Sequence, residues 1–448
     1  MRPSGRLLVD SPAVATSSID DLVEVAARAQ LLVADVALDG RLELIAASRA
    51  ALEDAAPLIV EAALRESSQT VTFARREVES ALRLLDALPG LAESIRARSV
   101  PSVSGDTILE WAPYGVVFGW HAANSPVWVP TVVSASALLA GNSVICRPSR
   151  RVARTTRLVL EAISSLWPDN AVQIVDTAPE EAEELIWHPG VGAVVTHGSI
   201  ATCRRQFAGL AAAYTRGAPL RPYIPEASGN DPAIVLAGAD LEFAARAVAI
   251  SAFMNAGQLC MATKRIIVES RIWADFRPLL VAAVERLRLG DPGRDDTDVA
   301  PLDAGPGRGR ARTALTEALA LGGEIIAGRG EDGPFFTPTV VLLPRSAADT
   351  ILWSEESFAP LRGVMLAADA DDAVAVANAD AHGLGASVFG PSDIARRLRA
   401  ARVVVNEDPL YQDPHFVVGG VGDSGLFGSR PKLEQLVYAR RIHRGSGH

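Results

Sequence analysis

From Gly115 onward, short runs rich in β-branched residues (GVVFG, NSVIC, AVQIV, GAVVT, PAIVL, RIIVE) alternate with longer stretches of alanine, leucine and charge. Each run suits one buried strand and each stretch one crossover helix, so the chain is confined to an α/β architecture with largely parallel sheets. The first hundred residues lack this alternation and read as helices. Ser17 and Ser18 stand ahead of Asp20 and Asp21 in a capping arrangement, followed by Leu22, Val25, Ala26 and Leu31 at helical spacing; further helical runs cover residues 41–64 and 70–88. At about 150 residues per domain, a chain of 448 residues implies two or three domains. Aromatic residues make up only 5%, so Ala, Val and Leu are expected to fill the core.

Residues 112–146 contain no Asp, Glu, Lys or Arg, a length that could cross a membrane. Pro113, Pro126 and Pro130 break the stretch, and Asn124, Gly141 and Asn142 add polar or flexible points. A buried strand followed by a buried helix fits better. The opening segment MRPSGRLLVDSPAVATSSIDD has no apolar core of the kind a secretory signal needs, so a cytoplasmic location is expected. A formal net charge of −10 disfavours nucleic acid or an anionic membrane as partner and leaves small molecules. Cysteine occurs only at positions 146, 203 and 260, which excludes a disulfide scaffold and suits a reducing compartment. No metal site is expected. Residues 290–312, with several Gly, Asp and Arg, read as a surface connection, and LVYARRIHRGSGH as an edge strand with a frayed tail.

Several segments have the form of a chemical motif. Gly420, Gly422 and Gly425 (GVGDSG) follow the strand-like FVV in a dinucleotide fingerprint, but too little chain follows to complete a βαβ unit. The Gly-Asp-Ser-Gly inside it is similar to the nucleophile segment of chymotrypsin-like proteases, a fold that an α/β alternation excludes. A glycine-dependent turn is the preferred reading. Residues 192–199 (GAVVTHGS) run from a strand into a polar loop ahead of a helix at Ile200, where backbone N–H groups can face a pyrophosphate; a purely structural loop reads equally well. Cys260 follows a helix that begins near Asp240 and Leu241, with Gly257 breaking the helix just ahead of the thiol. Glu226 lies just before the apolar strand 233–236, where a carboxylate can be partly desolvated and made basic. Asn124 lies within the uncharged stretch and is expected to be buried with a partner. Taken singly, these three read as a packed cysteine, a loop glutamate and a cap before proline.

Together they carry a resemblance to the aldehyde dehydrogenases. That family has a Pro-x-Gly-Val-Val strand leading to an Asn and a Pro, an Ala-Gly-Asn turn before Lys-Pro, a Glu-Leu-Gly-Gly segment and a Gly-Gln-x-Cys. The chain has Pro113-Tyr114-Gly115-Val116-Val117, Asn124, Ala140-Gly141-Asn142 before Arg147-Pro148, Glu226-Ala227-Ser228-Gly229 and Gly257-Gln258-Leu259-Cys260. Glu355-Glu356-Ser357-Phe358-Ala359-Pro360 is similar to the family's Glu-Glu-Ile-Phe-Gly-Pro, and Gly419-Gly420 with Ser424-Gly425 to its Gly-Gly and Ser-Gly turn. These motifs keep their order and spacing from about Asp20 onward.

The resemblance implies that Cys260 attacks an aldehyde carbonyl, that the Asn124 amide and the Cys260 N–H hold the oxyanion, and that Glu226 activates water against the thioester. It places Glu356 at the nicotinamide ribose, Phe358 beside the ring, Ser199 at the pyrophosphate, and Arg147, Ser149 and Arg150 at the adenosine ribose. NAD-preferring members often carry Glu two residues after that Pro; here Arg150 stands there with Arg151 behind it, which favours NADP over NAD slightly. Ala123, Ser228 and Ala359 depart from the family's usual Trp, Gly and Gly around the nicotinamide and substrate channel. The implied fold is a discontinuous Rossmann-like cofactor-binding domain (1–93 and 114–227), an α/β catalytic domain (228–429) and a small β extension (94–113 and 430–448) that mediates a homodimer or homotetramer. The early hairpin of the family is expected to be absent. Alternatives are a CoA-acylating or thioester-reducing relative that resolves the thioester with a thiol, against which Glu226 counts, and a catalytically silent binding member, against which the retention of Cys260, Glu226, Asn124 and Glu356 counts.

Overall fold

The computed structural model describes residues 18–102, 105–302, 306–415 and 419–445. Three helices, Ile19–Asp35, Leu38–Glu66 and Val71–Ala92, open the chain. Ser18 caps the first, its hydroxyl accepting from the Asp21 N–H at 3.1 Å, and Thr70 caps the third by accepting from Phe73 N–H at 3.2 Å. Ser17, the other cap candidate, lies outside the described residues, as does the FVV run at 416–418.

All six β-branched runs are strands. Val116–Trp120, Ser143–Arg147, Val172–Ile174 and Val191–His197 lie in a five-stranded parallel sheet, and Pro232–Val235 and Arg265–Glu269 lie at the centre of a seven-stranded one. In the smaller sheet the order runs from Val172–Ile174 through Ser143–Arg147, Val116–Trp120 and Val191–His197 to Tyr223–Glu226, every pairing parallel. Side chains from both faces of Val116–Trp120 are buried, as a sheet covered by helices on both sides requires. The uncharged stretch resolves into this strand, the helix Trp128–Leu139 and the strand Ser143–Arg147, nearly all of it buried. Among the described residues no helix is long and apolar enough to cross a membrane.

The larger sheet is parallel apart from the strand Glu324–Ala327, which runs antiparallel at one edge, and its helices build the largest apolar core. A separate antiparallel sheet joins Arg98–Val100, Asp106–Pro113 and Val437–Arg444. Its longest register runs from Val437 opposite Pro113 to Arg444 opposite Asp106, so the C-terminal edge strand and its pairing with residues 94–113 are both present.

Two local readings change. Glu226 is no loop residue before a core strand; it ends Tyr223–Glu226, the edge strand of the five-stranded sheet, and the chain then crosses to Pro232–Val235 in the other. Four residues containing Pro225 carry little strand signal, and proline is tolerated there because the edge leaves its missing N–H uncalled for. The 290–312 connection is shorter than expected, because the helix Pro306–Ala320 starts inside it. Gly307 and Gly309 in the first turn mask that helix, each costing about 1 kcal/mol against alanine.

Candidate active site

One cavity of about 1490 Å³ is lined by Asn124, Ser199, Glu226, Cys260, Glu356 and Phe358 together. These six residues come from five separate stretches of chain, and of them only Glu226 lies on a strand. The other three expected site residues, Arg147, Ser149 and Arg150, are absent from its lining and stand just before Arg151 and Val152, which do line it.

The thiol is presented by a strained turn. After the helix Leu241–Phe253, which Asp240 caps, Asn255, Ala256 and Gly257 all take positive φ (52°, 52° and 74°). Only the glycine does so freely, and a Cβ on Gly257 would sit 2.5 Å from the Ala359 carbonyl oxygen. The fully buried Arg362 stitches this turn to the next loop, donating to the carbonyls of Gly257 (3.2 Å), Ala359 (2.6 Å) and Ser357 (3.2 Å). The Cys260 thiol and the Glu356–Phe358 loop are thereby fixed relative to each other. Gly229 serves the same packing, since a Cβ there would meet the Cys260 carbonyl at 2.4 Å.

Cys260 is half-buried at the cavity wall. Burial pushes its thiol up to about 12, with Glu356, Asp231 and Glu226 adding to the effect and Lys264 opposing it. Cys146 and Cys203 are buried away from the cavity lining and are likewise pushed up, to about 12 and about 11, as packing residues should be. Asn124 is half-buried rather than buried, because it faces the cavity; its Nδ2 donates to the Gln258 carbonyl at 3.2 Å. The loop behind it is anchored. Gln69 Nε2 donates both to the Asn124 carbonyl (3.2 Å) and to Glu77 Oε2 (3.1 Å), while Glu77 Oε1 accepts from Val127 N–H (3.0 Å) and Trp128 N–H (2.9 Å) at the start of the next helix.

Glu226 is buried by its surroundings, which raises its pKa, and an ion pair with Lys432 works the other way. Oε1 meets the Lys432 ammonium and Oε2 has no hydrogen-bond partner. The GDSG segment is a structural turn, as preferred: Gly422 has φ 61°, and the buried Ser424 donates to the Ser228 carbonyl at 2.7 Å and accepts from Gly383 N–H at 3.1 Å. It forms the floor under the Glu226 segment, with Ala227 N–H donating to the Ser424 carbonyl at 3.0 Å. Glu356 pairs with Lys264 at 3.2 Å and accepts from Gly229 N–H at 3.4 Å.

Past the C-terminal ends of the parallel strands several buried polar atoms lack partners, and of the residues that carry them only His197 lines the cavity. His197 Nδ1, Arg147 Nε, Thr177 Oγ1 and both ring nitrogens of His121 are buried without hydrogen-bond partners. Ser199 caps the helix Ile200–Thr215, its hydroxyl accepting from Thr202 N–H at 3.2 Å, so that the N–H groups of the first turn face the cavity end of the sheet. Arg147 stacks on Trp120 at 4.2 Å to the ring centroid, and burial lowers its pKa. Arg150 is exposed and faces Asp176 at 3.6 Å, a screened contact that an anionic ligand can displace.

Lys264 and Lys432 were not among the residues picked out from motifs. They are the only two lysines in the chain, the other 41 of its 43 basic residues being arginine. Both are 1% exposed, and each contacts one of the two site glutamates. Lysine usage was therefore a legible signal.

Comparison with known proteins identifies the family and the fold. A model of the aldehyde dehydrogenase family matches residues 2–438. Succinate-semialdehyde dehydrogenase [NADP(+)] 1 of Mycobacterium tuberculosis (strain ATCC 25618 / H37Rv) is 32% identical over 324 residues, covering 70% of this chain and 69% of the relative. Sulfoacetaldehyde dehydrogenase of Neptuniibacter caesariensis is 26% identical over 407 residues, 87% of this chain and 86% of the relative. The crystal structure of NADP-dependent glyceraldehyde-3-phosphate dehydrogenase from Bacillus halodurans C-125, complexed with NADP, superimposes with a TM-score of 0.87 at 25% identity, over 96% of this chain and 91% of that one.

Proposed function

The chain belongs to the aldehyde dehydrogenase family, and we propose that it oxidises an aldehyde to the free carboxylic acid with NADP or NAD through a thioester on Cys260. The observation that carries this reading is the convergence of Cys260, Asn124, Glu226 and Glu356 on one cavity. Cys260 adds to the carbonyl carbon as the thiolate, its thiol proton passing to solvent in the cavity, a transfer that burial makes costlier by raising the thiol's pKa. The developing oxyanion is met by the Asn124 amide and the Cys260 N–H. A nicotinamide, when bound, supplies the hydride acceptor that converts the adduct into a thioester. Glu226 then takes a proton from water as the water oxygen attacks the thioester carbonyl, and the Cys260 sulfur leaves. Glu356 and Phe358 would hold the nicotinamide end, Ser199 the pyrophosphate, and Arg147, Ser149 and Arg150 the adenosine ribose.

In the same reading residues 1–93 and 114–227 form the cofactor-binding domain, 228–429 the catalytic domain, and 94–113 with 430–448 an extension whose exposed edge strand Val437–Arg444 joins subunits of a cytoplasmic homodimer or homotetramer. Its partner is a small aldehyde, with no nucleic acid and no membrane.

The deciding assay supplies an aldehyde panel that includes succinic semialdehyde and sulfoacetaldehyde, each cofactor in turn, and CoA present or absent. Reduced cofactor and free acid are expected in both CoA conditions. An acyl-CoA product would replace this reading by the acylating one, and cofactor binding without reduction across the panel would replace it by a silent binding protein.

NADP is slightly favoured because Arg150, followed by Arg151, stands where an acid would repel a 2′-phosphate, and because relatives named above are NADP enzymes. In Arg150→Glu, kcat/KM with NADP should fall about tenfold, the scale of one charge-assisted contact, while NAD is unchanged or gains. An unaltered NADP value would remove Arg150 from the cofactor site.

A further inference from the structure

We propose that Lys432 is a positioning residue for the hydrolytic half of the reaction, holding both the charge and the orientation of the Glu226 carboxylate. The inference rests on the reading of Glu226 as the base. Lys432 opens the short helix Lys432–Gln435, immediately before the edge strand Val437–Arg444, and is separated from Glu226 by 206 positions in the chain. Its ammonium meets Glu226 Oε1 and donates to Gln435 Oε1 at 3.2 Å. Two acceptors fix the cation, and the cation fixes one carboxylate oxygen. The second oxygen, Oε2, is buried and unpartnered, which leaves it as the free lone-pair site for a water proton.

A buried carboxylate without a cation takes up a proton rather than stay charged, and a protonated carboxyl cannot accept from water. The other groups around Glu226 do not replace Lys432. His197 stands opposite Glu226 in the strand register and is held neutral, its pKa pushed well below the ordinary histidine value by burial and then by Lys432 and His121. Cys203 and Cys260 bring thiols whose pKa values Glu226 itself helps to raise. Arg204 on the neighbouring helix is engaged by Asp423 at 2.8 Å. Lysine also differs here from the arginine that the chain uses almost everywhere else, since a compact ammonium can contact one carboxylate oxygen and leave the other open, where a guanidinium fork favours both.

The test compares wild type, Lys432→Met, Lys432→Arg, Glu226→Gln and the double variant Glu226→Gln/Lys432→Met in their pH profiles of steady-state turnover and in the first-turnover burst of reduced cofactor. Lys432→Met should keep the burst while the acid limb of turnover moves up by at least one pH unit, a loss of about tenfold at any pH on that limb. Lys432→Arg, which restores the charge, should return the limb towards wild type. A wild-type limb in Lys432→Met, with Glu226→Gln still blocked after the burst, overturns the role of Lys432 alone; normal turnover in Glu226→Gln overturns the base assignment beneath it. If Lys432→Met does not fold, the double variant decides: a folded double variant traces the failure to the stranded carboxylate, as proposed, and an unfolded one assigns Lys432 to packing and overturns the proposal.

Discussion

Cys260→Ala should abolish aldehyde-dependent cofactor reduction, by ~10⁴-fold or more, since no later step can proceed without the covalent adduct. The fold should survive. Cys260 is half-buried at a cavity wall, so losing its sulfur costs no more than ~1 kcal/mol of stability. Cys146→Ala and Cys203→Ala serve as controls, because both thiols are buried in the two faces around the five-stranded sheet and neither lines the cavity. Each should lose some thermal stability and keep turnover. A stoichiometric thiol alkylation with and without aldehyde gives the second readout: the reactive site should disappear in Cys260→Ala and persist in the other two. Activity surviving in Cys260→Ala would sink the nucleophile assignment and with it the thioester.

The same thiol shows what the amino-acid sequence makes legible. Gly257 and Cys260 are three residues apart, so the turn that needs a positive φ and the sulfur it presents are visible in one short segment. Five of the six β-branched runs were legible for a similar reason, being continuous, apolar and buried on both faces; the sixth, Val172–Ile174, is a half-buried edge strand. Tyr223–Glu226 was not, because an edge strand has one hydrogen-bonded neighbour, tolerates Pro225 and shows no run of its own. Lys264 next to Glu356 and Lys432 next to Glu226 were hidden for a different reason. Those pairs exist only once the two sheets and the C-terminal segment are assembled, and no local periodicity reports a contact made across 92 or 206 positions. Composition still held a clue: in a chain whose other 41 basic residues are arginine, the two lysines are both buried beside a site glutamate.

That assembled charge arrangement also bears on how the thiol is activated. Lys264 donates to the carbonyls of both Leu259 and Cys260 and is the one group that pulls the Cys260 thiol downward, against burial and three carboxylates. Its pairing with Glu356 ties the Glu356 loop to the thiol's backbone. Under the proposed mechanism the two lysines divide the work, Lys264 beneath Cys260 and Lys432 beneath Glu226.

Asn124→Ala should lower kcat/KM by about 10²–10³-fold, the cost of removing one preorganised donor from a developing oxyanion. The loss should fall on the chemical step. Asn124 holds its place through backbone contacts that alanine retains: its carbonyl accepts from Gln69 Nε2 at 3.2 Å and from Asn255 Nδ2 at 3.4 Å, and Glu77 caps the helix that follows. Only the Nδ2 bond to the Gln258 carbonyl is lost, a partly exposed contact worth about 1 kcal/mol. Cofactor affinity and the rate of Cys260 alkylation should therefore stay near wild type while the burst of reduced cofactor slows. Asn124→Asp separates charge from shape: it keeps the size of the side chain but sets a carboxylate against the oxyanion, so it should be worse than alanine. Equal activity of the asparagine and alanine forms would move the oxyanion away from Asn124 and leave the Cys260 N–H without its second donor.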